Sequence, residues 1–226
     1  GPDGEGGVSP VNWNVLWTAL GETLYMAIPS TLIAYLIGLP LGVLLVITRK
    51  GGVKPLPTLN AVVGALVNFL RSIPFLILLA MLFPVTRAVM GKAVGTKAII
   101  FPLTVSAFPY VARMVEGSFN EVDNGILEAA QSMGSTTFQI IRKVLIPEAM
   151  PSLVNGFAIC MTTILSYTAM ASAAGGGGLG AVAITYGLNL RKYDLMYAAS
   201  ILLVILVQVI TVLGTFLTRK LDHRIR

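Results

Sequence analysis

Long apolar runs dominate the chain, and short polar segments separate them. Five of these runs contain the roughly 20 mostly apolar residues that a helix needs to cross a bilayer. The five runs cover about 21–48, 59–83, 98–115, 150–174 and 195–217. The pattern predicts an all-α, polytopic membrane protein with five transmembrane helices. Trp13 and Trp17 precede the first run, where aromatic side chains are typical anchors at the membrane surface.

Composition supports a membrane protein and argues against several soluble classes. Of the 226 residues, 55% are hydrophobic and 12% are charged, about half the charged fraction of a soluble domain. The net charge of +6 comes from basic residues at the ends of apolar runs, which indicates membrane orientation rather than nucleic-acid binding. Cys160 and His223 are the only residues of their types, so neither an internal disulfide nor a metal cluster is predicted. No serine–histidine–acid set is placed for catalysis, so an enzyme is not predicted.

Three segments are expected along the chain. Residues 1–10, GPDGEGGVSP, are rich in glycine and proline and are expected to be a flexible terminus or the remnant of a cleaved tag. Residues 11–218 hold the transmembrane domain. This domain includes a polar loop over 121–147, called the EAA loop for the motif described below. Residues 219–226 form a basic tail that is expected in the cytoplasm.

The positions of lysine and arginine orient the five spans, because these residues are commoner on the cytoplasmic side. An external N-terminus places ten basic residues inside and five outside, with Arg71 within the second span. The inner residues are Arg49, Lys50, Lys54, Arg113, Arg142, Lys143, Arg219, Lys220, Arg224 and Arg226. The outer residues are Arg87, Lys92, Lys97, Arg191 and Lys192. This orientation predicts that the C-terminus and the EAA loop are cytoplasmic.

Two short helices are predicted within the EAA loop. Asp123 or Asn124 can cap the first helix. Gly134 interrupts the helical pattern where the chain must reverse and needs a residue without a Cβ. Thr136 and Gln139 have the spacing of a capping box for the second helix. A helical hairpin is therefore expected between the third and fourth spans.

The EAA loop also carries a family motif. Glu128-Ala129-Ala130 is followed after three residues by Gly134 and after nine more by Val144, Ile146 and Pro147. Pro147 is also expected to end the second short helix. This spacing resembles the EAA motif of the permeases of type I ABC importers. The alternative, a solvated hairpin without a partner, suits a bare Glu-Ala-Ala triplet better than the full spacing.

The resemblance implies a function and a set of partners. In that family the loop forms coupling helices that dock into a groove on a separate ATPase subunit, which binds ATP and Mg²⁺. It also implies a pathway formed by two copies of this chain in the bacterial inner membrane, two ATPase subunits and an external substrate-binding protein. This chain itself would bind no cofactor and no nucleic acid. The ATPase-coupling residues would be Glu128, Ala129, Ala130, Gly134 and Pro147.

Two other strings resemble the permeases of methionine importers. They are Arg71-Ser72-Ile73-Pro74-Phe75 in the second span and Gly177-Gly178-Leu179-Gly180 after the fourth. The resemblance implies import of methionine, in the D or L form. Another polar amino acid or small solute is the alternative substrate. A channel or facilitator that needs no ATPase is the alternative from another class, and it would make the EAA spacing a coincidence.

Candidates for the transport path lie in the third and fourth spans. The fourth span carries a small and weakly polar stripe at helical spacing. Close helix packing is an alternative explanation for Asn155 and Thr162 of that stripe. The path and gate candidates are Ser106, Thr163, Ser166, Tyr167 and Met170.

Arg71 is a charge inside an apolar span, where it needs a partner or water. It either reaches the inner membrane surface along its aliphatic stem or forms a structural ion pair with Glu116 or Glu121. Arg113 and Glu116 are three residues apart and can also pair with each other at the inner end of the third span.

Overall fold

The computed structural model describes residues 12–222 of the chain. These residues form helices joined by turns, so the predicted all-α class is confirmed. Four helices are long and apolar enough to cross a membrane, and one bent pair of helices gives a fifth candidate span. The expected flexible terminus at 1–10 and the basic tail from His223 onward lie outside the described residues.

The described helices include both long spans and short connecting pieces. They are α1 Trp13–Thr48, α2 Pro57–Ser72, α3 Phe75–Met81, α4 Phe83–Met90, α5 Thr96–Asn120, α6 Asn124–Ser132, α7 Thr137–Ile140, α8 Ile146–Ala171, α9 Leu179–Val182 and α10 Tyr193–Leu221. π-helical turns follow α7 at Ile141–Leu145 and α9 at Ala183–Asn189, and a 3₁₀ turn at Ser172–Ala174 follows α8.

The core of the bundle forms where α1 packs against α5. Gly38 and Gly42 of α1 face α5 so closely that an added Cβ would lie 2.6–2.7 Å from atoms of Val111 or Val115. Small residues four positions apart permit this approach of two helices. The pair therefore fixes the distance between α1 and α5 within one chain.

The predicted second span, 59–83, is not a single helix. α2 ends at Ser72, α3 begins at Phe75, and the two axes differ in direction by 100°. Pro74 lies at the break, and proline disfavours the helical conformation in the residue before it. Ile73 accordingly has an extended backbone with φ −83° and ψ 120°. The second apolar run is therefore a broken span, and Arg71 lies in the last turn of α2 beside the break.

Contacts between distant segments define the two ends of the bundle. At the EAA-loop end, Ser118 of α5 and Thr218 of α10 line one cavity. At the opposite end, called the far end, Glu22 of α1 accepts a hydrogen bond from the N–H of Gly178 at 2.8 Å. The described chain therefore starts at the far end and finishes at the EAA-loop end, which agrees with the five spans predicted from the sequence.

Candidate coupling surface and transport path

The EAA loop contains the helix-capping hydrogen bonds that the sequence predicts. The Asp123 Oδ1 atom accepts a hydrogen bond from the N–H of Gly125 at 2.7 Å and caps α6. The N–H of Gln139 donates to Thr136 Oγ1 at 3.3 Å, and the N–H of Thr136 donates to Gln139 Oε1 at 2.8 Å. Both bonds of a capping box are thus present at the start of α7. The structure confirms both predicted caps.

Gly134 reverses the chain between α6 and α7. Its φ of +75° lies in the left-handed region, which glycine adopts at little cost. The N–H of Gly134 donates to Gln131 O at 2.9 Å, and the N–H of Ser135 donates to Ala130 O at 3.1 Å. These two bonds form a Schellman motif. An added Cβ would have no neighbour within 4 Å, so within this chain the backbone conformation, and not packing, requires the glycine.

The second short helix does not end at Pro147, and that prediction is wrong. The chain from Thr137 to Ala174 forms one continuous helix. In its π-helical turn the N–H of Ile146 donates to Ile141 O, five residues back. Pro147 then falls in the first turn of α8, and the altered register of the π-helical turn lets the helix continue past it. The helix that contains the fourth apolar run therefore begins well before residue 150 and includes the second helix of the EAA loop.

One face of the EAA loop packs on the bundle and the other face is exposed. Leu127 and Ala130 are buried in the main hydrophobic core. Glu128, in the motif, is exposed. Met133 is 79% exposed and Phe138 is 67% exposed. Exposed large apolar side chains can mark an interaction site, so the face that carries Glu128, Met133 and Phe138 is a candidate docking surface.

Arg49 connects the end of α1 to the EAA loop. Its guanidinium donates to Asn120 Oδ1 and, at 3.5 Å, to Asn124 Oδ1. A cavity of about 270 Å³ lies beside it and is lined by Glu128 and Gln131 of α6. From the sequence we assigned Arg49 only a role in membrane orientation. Arg49 is more than 70 residues from its partners in the chain, so its contact with the loop could not be predicted from local spacing.

A cavity of about 210 Å³ lies at the break between α2 and α3. The rings of Phe75 and Tyr167 stack beside it, with centroids 4.6 Å apart and planes 2° from parallel. The cavity is lined by Leu70, Arg71, Ile73, Phe75, Ser106, Tyr110 and Tyr167. It therefore brings together three residues that the sequence indicated separately, namely Arg71, Ser106 and Tyr167.

The other path candidates lie on α8 outside this cavity. Ser166 and Met170 are exposed, and Thr163 is half-buried. The hydroxyl of Thr163 donates to Ile159 O at 2.9 Å, and that of Ser166 donates to Thr162 O at 3.3 Å. Because these donors are satisfied within the helix, the face is only weakly polar, as the stripe predicted.

The ion pair suggested for Arg71 with Glu116 or Glu121 is not formed. Glu116 pairs with Arg113, with 2.6 Å between the guanidinium and the carboxylate, and this is the only salt bridge within residues 12–222. Arg71 lies beside Tyr110, in the middle part of α5. The alternative, that Arg71 reaches the inner membrane surface along its aliphatic stem, stays a prediction.

Arg113 links α5 to α2. Its Nε donates to Asn68 Oδ1 at 3.1 Å, and a terminal nitrogen donates to Gly64 O at 2.8 Å. The predicted pair with Glu116 is confirmed. The contacts with α2 were not predicted, because nothing in the spacing indicates which helix α5 faces.

Comparison with known proteins identifies the family. Residues 34–226 match the family described as "Binding-protein-dependent transport system inner membrane component". The chain belongs to this family. This transport component is 46% identical over 214 residues to the "Probable D-methionine transport system permease protein MetI" of Vibrio cholerae, covering 95% of each chain. It is 41% identical over 214 residues to the "Methionine import system permease protein MetP" of Bacillus subtilis, covering 95% of this chain and 96% of the relative.

Solved structures agree with this family. The transport component matches a chain of the "MetNI methionine ABC transporter", in inward-facing conformations, with a TM-score of 0.93 and 43% identity over 95% of this chain and 100% of that chain. A chain from "an amino acid ABC transporter with histidines" has a TM-score of 0.76 at 20% identity over 92% and 94%, and shares the fold alone. The transport component is thus a multi-pass inner membrane permease and not an enzyme.

At the far end of the transport component, α1 holds the glycine-rich turn that follows α8. Glu22 Oε2 accepts from the N–H of Gly178 at 2.8 Å, and Thr23 Oγ1 accepts from the N–H of Leu179 at 2.9 Å. These N–H groups begin α9 and have no partner within that helix. A Cβ on Gly177 would collide with the Glu22 carboxylate. The only sequence signal for this contact is that a glutamate in an apolar run needs a partner.

Proposed function

We propose that two copies of this chain form the membrane pathway of an ATP-driven importer, and that its solute is methionine in the D or L form. The observation that carries the proposal is the 41–46% identity, over nearly the whole chain, to permeases named for methionine transport. The complete EAA spacing on an exposed surface supports the importer class. In the structure, that surface combines the Glu128 carboxylate with exposed apolar side chains.

The proposed partners are a second copy of the chain, two ATPase subunits and an external substrate-binding protein. ATP and Mg²⁺ would be bound by the ATPase subunits and not by this chain. The exposed Met133 and Phe138 support a docked partner, because a groove on the ATPase would remove both side chains from water. The residues proposed for coupling are Glu128, Ala129, Ala130, Gly134 and Pro147. Ala130 would act from inside, by packing α6 on the core.

The proposed orientation places the N-terminus outside and the C-terminus and EAA loop in the cytoplasm. The excess of basic residues at the EAA-loop end supports it. In this orientation the glycine-rich turn is external. The ATPases would then bind at the EAA-loop end and the binding protein at the far end. A rigid-body movement of the helices between two states would couple ATP hydrolysis to transport.

The proposed path runs past Ser106, Thr163, Ser166, Tyr167 and Met170. The cavity shared by Ser106 and Tyr167 supports a path on this side of α8. The exposure of Ser166 and Met170 in a single chain leaves them available to face the path or the second copy.

Reconstitution of the complete complex tests the proposed function. Liposomes that hold the permease, the ATPase and internal ATP, with binding protein outside, should accumulate radiolabelled methionine above a panel of other amino acids. The matched control is the same complex with a hydrolysis-deficient ATPase, which should accumulate none. Uptake that persists without the ATPase would establish a facilitator instead. Uptake of a different amino acid would support the importer class and contradict methionine as the substrate.

A further inference from the structure

Arg71 is a charged residue within the broken span, and its guanidinium has no carboxylate partner among the described residues. No other part of residues 12–222 pairs with it, since the single salt bridge there joins Arg113 to Glu116. A guanidinium presents five N–H donors and stays charged. Ionisable residues within membrane spans that lack a structural partner are candidates for function. The Arg71 side chain is exposed in the single chain, so its donors are accessible to a ligand.

Three hydroxyls line the same cavity as Arg71, namely those of Ser106, Tyr110 and Tyr167. The Ser106 Oγ donates to Leu103 O at 2.8 Å and keeps lone pairs that can accept. The two tyrosine hydroxyls have no hydrogen-bond partner within the described part of the chain. Each can therefore donate to, or accept from, a molecule in the cavity.

The remaining wall of the cavity is apolar. Leu70, Ile73 and the ring of Phe75, stacked on Tyr167, provide this surface. No acidic side chain lines the cavity. Its volume of about 210 Å³ has room for several water molecules. A small anion that carries an apolar group suits this combination of one cation, three hydroxyls and an aromatic wall.

We propose that Arg71 binds the α-carboxylate of the amino acid in transit, with the Tyr110 and Tyr167 hydroxyls as additional hydrogen-bonding groups. The proposal rests on the proposed function, because it takes an amino acid as the solute. Arginine can bind a carboxylate through two parallel N–H···O bonds. The Ser106 lone pairs would accept from the neighbouring ammonium group. The 100° break after α2 places the guanidinium where α2, α5 and α8 meet.

Transport by variants of the reconstituted complex tests the assignment. Arg71→Gln should lower methionine uptake roughly tenfold or more, the loss that removal of a charged hydrogen-bonding partner produces. Arg71→Lys should lose less, because it keeps the charge but not the planar fork. ATP hydrolysis stimulated by the loaded binding protein should stay near the wild-type rate in both. Arg87→Gln is the matched control, since Arg87 is exposed on α4 and does not line the cavity.

The outcomes separate this assignment from the proposed function. Wild-type uptake by Arg71→Gln would overturn the assignment alone. Loss of assembly or of stimulated ATP hydrolysis in Arg71→Gln would make Arg71 structural and would also overturn it. A wild-type complex that imports no amino acid would overturn the proposed function, and this assignment with it.

A second measurement detects the anion preference without transport. In a Cys160→Ala background, a Ser106→Cys thiol should react faster with a negatively charged methanethiosulfonate reagent than with a positively charged one of similar size. Arg71→Gln should remove that preference, and Arg87→Gln should retain it. Equal rates before the Arg71 change would contradict the proposal. A thiol that reacts with neither reagent would also contradict it, because the cavity would then be closed to the path.

Discussion

Replacing Gly134 by leucine should uncouple ATP hydrolysis from transport without unfolding the membrane helices. Gly134 has a φ of +75°, and a side chain in that conformation costs about 1–3 kcal/mol. No atom of this chain lies within 4 Å of an added Cβ, so packing within the chain contributes no further cost. Gly134→Ala and Gly134→Leu should therefore share one backbone penalty. If Gly134→Leu lowers uptake more than Gly134→Ala does, the difference measures contact of the leucine side chain with the ATPase.

The assay is uptake and ATP hydrolysis measured on the same reconstituted complex. A penalty of about 1–3 kcal/mol changes an equilibrium between docked and undocked loops by about 5- to 150-fold. Uptake by Gly134→Leu should fall by about tenfold or more, while permease level and dimer formation stay unchanged. ATP hydrolysis should lose its response to the loaded binding protein.

The chain offers a matched control for backbone strain. Gly91, at the end of α4, has a φ of +77° and likewise no neighbour within 4 Å of an added Cβ. Gly91→Leu carries the same strain away from the EAA loop and should leave coupling intact. If Gly91→Leu and Gly134→Leu lowered uptake equally, the specific role of Gly134 in coupling would be refuted. Transport by Gly134→Leu at the wild-type rate per ATP would show that the EAA loop is only a connector.

Other substitutions test the loop charge, the orientation, the path and the far end. Glu128→Lys should abolish the ATPase response to loaded binding protein by reversing an exposed charge; a normal response rules out that role. A cysteine at Ser135 should react with an impermeant thiol reagent only from the cytoplasm; labelling of intact cells would reverse the topology. Met170→Trp and Ser166→Trp should slow uptake in an assembled complex; normal uptake would move the path to another face. Glu22→Ala should lower the melting temperature by leaving the N–H of Gly178 unpaired, at about 1–3 kcal/mol; an unchanged value would show that this bond contributes little.

The features that could be predicted from the sequence depend on residues close together in the chain. Asp123 and the Thr136–Gln139 pair cap helices through groups two or three residues apart. The positive φ of Gly134 follows from the same local geometry. The apolar runs identify the spans because length and composition alone decide whether a helix can cross a bilayer.

The features that could not be predicted depend on hydrogen-bond register or on distant segments. Pro147 usually indicates a helix end, but one π-helical turn shifts the register and lets the helix continue. The 100° break at Pro74 lies within an apolar run, and a proline in such a run indicates a kink without giving its angle. The bond between Glu22 and Gly178 joins residues 156 positions apart, and the cavity around Arg71 needs three helices to meet.

The continuous helix from Thr137 to Ala174 carries part of the docking surface near its first residue and the gate candidates near its last, so a tilt of this helix would move both. Its 38 residues span about 57 Å at 1.5 Å per residue. If the helix pivots near its midpoint at Asn155, a tilt of about 10° moves each end by about 5 Å, in opposite directions. Phe138 lies near one end and Met170 near the other. Inward motion of the docking surface would therefore carry the gate outward, and no intervening joint is needed to reverse the direction.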